Sequence, residues 1–268
     1  MLQNSLVIVS MAFYLLATAT LLRRLFHVDG IDFKRVLQLS GAAMIPHALF
    51  IGLVVITPDG QDFSLINVIS LVCLAISLSV SVATIKHPAP FLLSIIYGFS
   101  ALIQLLTLFF PTHVMMQHVL TNWPLTSHIA LSLLAYCVLI IATLYAIQFQ
   151  YINTKLKSKD LSVVNCHFPP LMQVEKQQFR LLTIGTALLS LALLSGFVYL
   201  DNMFARTVAH KTILSMLAWT VYVILIIGHR FRGWRGKNAV WGTLTGAVLL
   251  TLAYFGSRFV REIILGRF

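Results

Sequence analysis

Residues 223–237 read VILIIGHRFRGWRGK, an apolar run that stops at His229 and gives way to Arg230, Arg232, Arg235 and Lys237. An oily helix closed by a basic cluster marks a membrane boundary, because Lys and Arg are retained on the cytoplasmic side and Trp lodges in the headgroup layer. Trp234 and Trp241 suit that layer. His229 sits where the two regimes meet, and three roles are open to it: packing, anchoring the helix end, or ligating.

The same pattern recurs in both directions along the chain. The 268 residues are 59% hydrophobic and only 10% charged, and the mean hydropathy is +0.89, too apolar for a water-soluble core of this size. Eight segments have the length, about 18–23 residues, that crosses a hydrocarbon layer as a helix: 4–22, 36–57, 65–85, 89–110, 127–147, 181–200, 212–229 and 238–257. The expected fold is all-α, a polytopic bundle of eight transmembrane helices forming one integral membrane domain over 1–268. The stretch 148–180 is expected to be a cytoplasmic connector, and TPDGQDFS, 57–64, a tight turn. The first segment has no basic residue before it and no small-residue cleavage site after Arg23 and Arg24, so it is expected to stay as a helix rather than act as a signal peptide.

The net charge of +11 suggests nucleic acid only if it gathers on one surface, and here it alternates by loop. Arg23, Arg24, Lys34 and Arg35 follow the first segment and Lys86 the third. Lys155, Lys157, Lys159, Lys176 and Arg180 follow the fifth, and the cluster at Arg230 the seventh. By the positive-inside rule these loops are cytoplasmic, which sets both termini outside, N-out and C-out. The basic balance is therefore topology; no nucleic-acid partner is expected, and the lipid bilayer is the expected surrounding. Cys73, Cys137 and Cys166 are too dispersed for a disulfide framework or a redox pair.

The eight acidic residues read as loop or tail residues, which leaves no carboxylate relay inside the membrane. Nine histidines are the exception. His47 lies mid-segment in AAMIPHALFIG, after Pro46, and either bonds a neighbouring helix or serves a ligand. On the seventh segment Lys211, Ser215, Trp219, Tyr222 and His229 step by three, four or seven and share a face, with Ile224, Leu225 and Ile227 expected to look elsewhere. His128, Ser132 and Tyr136 repeat the pattern on the fifth segment, and Ser40 and His47 on the second. Such stripes face a bundle interior, either bonding helices together or lining a site. Imidazole with Tyr and Trp, and without carboxylates, suits iron porphyrin better than a hydrated cation. The expected cofactor is haem b, with metal ligands among His47, His128 and His229, and with Lys211, Trp219 and Tyr222 around it. A copper reading rests on THVMMQH, with His113, Met115, Met116 and His118.

SHIALSLLAYCVLIIATLYAIQ (127–148), HKTILSMLAWTVYVILIIGHRFRGWRGKNAVW (210–241), FPPLM (168–172) and LTLAYFGSR (250–258) resemble the cytochrome c assembly family of CcsA and HemX type, in its proteobacterial inner-membrane branch. The resemblance spans essentially the whole chain and implies haem binding or delivery during cytochrome assembly, at the bacterial inner (plasma) membrane, with haem-handling or cytochrome assembly proteins as partners. It makes His47 and His229 similar to the family's membrane pair and His128 to its outer histidine. Two departures stand out. YLDNMFARTVAHKT (199–212) lacks the tryptophan-rich loop of the haem-attaching synthases, and GSRFVREIILGRF (256–268) lacks their histidine after the last helix. Covalent haem attachment is not expected of this chain, nor is catalysis.

Depth opens a choice of partners. At 1.5 Å per residue His47 lies about 18 Å from Arg35, whereas His229 adjoins Arg230, so His128 with His210 is the alternative pair to His47 with His229. A non-haem structural or regulatory membrane subunit is the alternative function. A transporter is disfavoured because neither an inverted repeat nor a pair of broken helices is visible.

Overall fold

A computed structural model describes residues 2–25, 30–57, 60–86, 88–109, 115–116, 122–159, 169–199, 209–256 and 259. All eight expected segments are helices: α1 Leu2–Leu25, α2 Phe33–Val55, α3 Leu65–Thr84, α4 Pro90–Phe109, α5 Trp123–Lys157, α6 Leu171–Tyr199, α7 Ala209–Arg232 and α8 Lys237–Thr251. Helix α8 runs on into a π-helical turn, Leu252–Gly256, and with that turn included each of the eight is long and apolar enough to cross a membrane. The chain divides into two compact units, residues 1–117 with 154–170, and residues 118–153 with 171–268.

Two boundaries differ from the sequence reading. Helix α5 continues to Lys157 and α6 begins at Leu171, so both ends of the 148–180 connector are helical. Hydropathy marks only the part of a helix that lies in lipid, and polar turns beyond it are invisible to that signal. The extension also corrects the placing of the acidic residues, since Glu175 lies inside α6 and is buried. The 57–64 turn is a hairpin: β1 Ile56–Thr57 pairs antiparallel with β2 Gly60–Asp62, which pairs in turn with β3 Met115–Met116. Of the THVMMQH cluster only this β3 backbone is described; His113 and His118 lie outside the described residues, as does Cys166. Cys73 and Cys137 are buried free thiols.

In the first unit α1 packs against α2 and α4, and α3 against α2 and α4. The α1 seam is Val7, Ser10, Tyr14, Ala17, Leu21 and Leu25, a three-four spacing that keeps one stripe inward. Leu15, Leu16 and Leu22 look outward, where lipid receives them at no cost. The second unit joins α6 to α7 and α7 to α8 with its π turn. Helix contact here is driven by close packing and hydrogen bonds, since lipid tails are as apolar as the side chains. Small residues mark the close approaches. A Cβ on Gly246 would lie 2.5 Å from the Tyr222 ring, and one on Gly185 2.7 Å from Leu139.

Candidate functional site

The first unit is bonded through its centre by a chain of side chains from all four helices. Ser70 Oγ donates to Gln104 Oε1 (3.3 Å), and Gln104 Nε2 donates to Ser10 Oγ (3.2 Å). With its hydrogen committed to Gln104, Ser70 can only accept from His47, whose Nε2 lies 2.9 Å away. His47 Nδ1 is then the bare nitrogen, and it accepts from the Tyr14 hydroxyl at 3.2 Å. The series Tyr14, His47, Ser70, Gln104, Ser10 begins and ends on α1, where Ser10 and Tyr14 are one turn apart. Tyr14, His47, Ser70, Gln104 and Ser10 are all fully buried. The stripe expected from Ser40 and His47 does face inward, and both imidazole nitrogens of His47 are engaged.

His229 answers the question raised by the opening stretch in geometric terms. Helix α7 ends in a turn where Trp234 N–H donates back to the Gly228 carbonyl (3.1 Å) and Gly233 takes a left-handed φ of 64°, the Schellman arrangement that glycine makes possible. A Cβ on Gly228 would lie 2.4 Å from the Trp234 ring, so that ring folds back over the last turn. His229 Nδ1–H donates to the Trp234 carbonyl at 2.9 Å, and its ring stacks on Phe179 of α6 at 3.5 Å. The histidine is thus tied to the cap it follows. Its Nε2 carries the lone pair.

His128 is half-buried near the start of α5. Ser195 Oγ donates to the Ala192 carbonyl (2.8 Å) and so must accept from His128 Nδ1–H at 2.9 Å. The proton is on Nδ1 and Nε2 is again the basic nitrogen. A fixed Nδ1–H···O bond of this kind orients an imidazole for ligation through the other nitrogen.

These two histidines stand at opposite ends of the second unit. His128 is held beside Ser195 and His229 beside Phe179, sixteen residues apart on α6, or about 24 Å along its axis. They cannot share one metal ion. Trp219 Nε1 donates to Ser190 Oγ (2.7 Å), which fixes the antiparallel register of α6 and α7. That register puts Lys211 and the exposed His210 at the His128 end, with His210 about one turn, roughly 6 Å, beyond the level of His128.

Below His128 the same α5 stripe carries buried Ser132 and Tyr136, as its spacing predicts. Tyr136 bonds Thr251 (3.1 Å) and packs against Tyr254 and Phe255 of the π turn, with ring centroids at 5.1 and 5.4 Å. Single π turns are frequent at functional sites. Tyr222 is fully buried beside Gly246, and its hydroxyl has no hydrogen-bond partner among the described residues. The face expected for α7 is inward at Tyr222, with Trp219 and His229 half-buried and Ile224 and Ile227 exposed. Leu225 corrects that expectation: it is buried against Gly242, because the inward stripe follows the three-residue step from Tyr222 rather than the polar residues alone.

At the His229 end, Gln178 Nε2 donates to Thr243 Oγ1 (3.1 Å). Gln148 is fully buried, and neither its amide nitrogen nor its amide oxygen has a partner among the described residues; the same holds for Glu175 Oε1. Sequence reading placed both residues in the connector and so missed them.

Fold and polar interior together define a polytopic membrane protein built from two histidine-bearing helical units. The chain belongs to the family of cytochrome C assembly proteins, whose model matches residues 36–265. It is 40% identical over 225 residues to the inner membrane protein YpjD of Escherichia coli, covering 83% of this chain and 84% of that protein. A 28.8 kDa protein of Azospirillum brasilense is 33% identical over 141 residues, 52% of each chain. The cytochrome c biogenesis protein CcsA of a Synechococcus species is 23% identical over 86 residues, 31% of this chain and 28% of that one. No solved structure matches the chain. This is a multi-pass protein of the bacterial inner membrane, related to cytochrome c assembly.

Proposed function

We propose that the protein handles haem in cytochrome c assembly, holding it without covalent attachment at the His128 end of its second unit. One observation carries this reading: His128 is half-buried, is oriented through Nδ1 by Ser195, and presents Nε2 as its basic nitrogen. The residue types on this side of the unit are ones a porphyrin would engage. Tyr136, Tyr254, Phe255 and Trp219 supply aromatic surface, the Tyr222 hydroxyl is a buried donor without a partner among the described residues, and Lys211 brings a cation to the same end for carboxylate substituents. Haem, when bound, would supply an iron that takes an imidazole ligand, and His128 would hold it; Ser195 sets the ring's orientation, and the hydroxyls of Ser132 and Tyr136 stay committed to α5 and Thr251. Among the described residues His210 is a second histidine at this end.

The test is the absorbance spectrum of detergent-purified protein after haem supplementation. A Soret band in the wild type that is lost or shifted in His128→Ala supports the reading, and absence of any band refutes it. A band lost in His229→Ala and kept in His128→Ala moves the site to the other end, where His229 has the same tautomer. The second reading, a structural or regulatory subunit, is favoured by the hydrogen-bond chain through His47, which uses both of that ring's nitrogens within the first unit.

A further inference from the structure

At the joint between α1 and α2 the first unit holds a cavity of about 190 Å³, lined by Thr20, Arg23, Arg24, Ile31, Asp32, Arg35 and Val36. Among the described residues the lining carries three arginines and one aspartate, all of them exposed. The carboxylate is partly spent on structure, since Asp32 Oδ1 accepts the Arg35 backbone N–H at 3.1 Å and caps α2. Arginines outnumber the aspartate in this lining, and planar guanidinium forks match the oxygens of a phosphate ester.

The rest of the lining says what kind of phosphate. Ile31 and Val36 are apolar, and Thr20 has committed its hydrogen to the Ala17 carbonyl at 2.8 Å, so it presents no donor to an anion. The wall beside the arginines suits glycerol and the first methylenes of an acyl chain. The volume is below the roughly 300–1,000 Å³ that encloses a whole small-molecule ligand, and it suits a headgroup. Arg23 and Arg24 end a membrane-crossing helix and Arg35 begins the next, so the cavity lies at headgroup depth. On the orientation expected from charge, it opens to the cytoplasmic leaflet, where anionic lipids are found.

We propose that this cavity is a specific site for the phosphodiester headgroup of an anionic phospholipid. The site is independent of the haem reading, because it belongs to the first unit and no histidine is among its described lining residues.

The full-length protein is to be studied by native mass spectrometry in detergent, with phosphatidylglycerol, phosphatidylcholine or inorganic phosphate added. Phosphatidylglycerol is retained through delipidation, phosphatidylcholine is lost, and millimolar inorganic phosphate does not compete. In Arg23→Gln/Arg24→Gln/Arg35→Gln, retention falls at least tenfold, about the loss expected from one charged hydrogen bond. Arg24→Lys keeps the charge, removes the fork and gives a smaller loss, which serves if the triple variant fails to fold. Arg230→Gln/Arg232→Gln removes charge elsewhere and leaves retention unchanged. Equal retention of both lipids, or equal loss in the two multiple variants, overturns the site. Binding of inorganic phosphate in place of lipid assigns it to a free phosphate and overturns the lipid source.

Discussion

Replacing His47 by Phe keeps a ring of similar size in a fully buried position and removes both of its hydrogen bonds. Interhelical hydrogen bonds in membrane bundles are worth about 0.6 kcal/mol each, so the two bonds account for roughly 1.2 kcal/mol. Ser70 still has Gln104 as acceptor, whereas Tyr14 loses the acceptor at 3.2 Å. A buried hydroxyl left unpaired adds about 1–3 kcal/mol, less if it turns to another group. The expected destabilisation is about 1–4 kcal/mol. His47→Ala adds a cavity term and comes out larger. Titration with sodium dodecyl sulfate from mixed micelles, followed by tryptophan fluorescence, measures the change, while a parallel haem titration follows the Soret band. The reasoning predicts lower stability with the band retained at full intensity. Unchanged stability together with a lost band refutes it and makes His47 a ligand.

Tyr222→Phe removes a buried hydroxyl that lacks a partner among the described residues, so without haem the variant is as stable as wild type or up to about 1 kcal/mol more so; the same unfolding titration reads this, and a weaker Soret response would show that the hydroxyl serves the ligand. Gly246→Leu drives a side chain into the Tyr222 ring, whose atoms already lie 2.5–3.0 Å from a Cβ there. It is expected to cost about 1–3 kcal/mol or more as overpacking, and a thermal melt in detergent that matches wild type would count against the close α7–α8 approach. For orientation, Cys substitutions at Lys34 and Arg235 in a background lacking native Cys are expected to resist membrane-impermeant maleimide in intact spheroplasts and to react in inverted vesicles; the reverse pattern overturns N-out.

The inward faces that carry the candidate site were legible in residue spacing. The four-residue step from His128 to Ser132 to Tyr136 did place one inward face, and Ser40 with His47 another. Leu225 was misread because polarity was used to choose the face, whereas a lipid-embedded helix buries apolar and polar residues alike along whichever stripe meets its neighbour. Glu175 and Gln148 were missed because hydropathy follows the bilayer and not the helix. The cap that holds His229 does carry a signal, Gly233 followed by Trp234, though only their geometry shows that the histidine bonds the Trp234 carbonyl.

Sequence alone determined the eight crossings and the alternation of charge between loops, because a segment in hydrocarbon must satisfy its own backbone and the cost of placing Lys or Arg there depends only on the residue. Tertiary structure decided which nitrogen His47, His128 and His229 leave uncommitted. His47 spends both, while His128 and His229 each keep one, at ends of the second unit too distant for a single iron. A tautomer is set by the donor or acceptor that another segment brings within 3 Å, and that is a property of helix register rather than of composition.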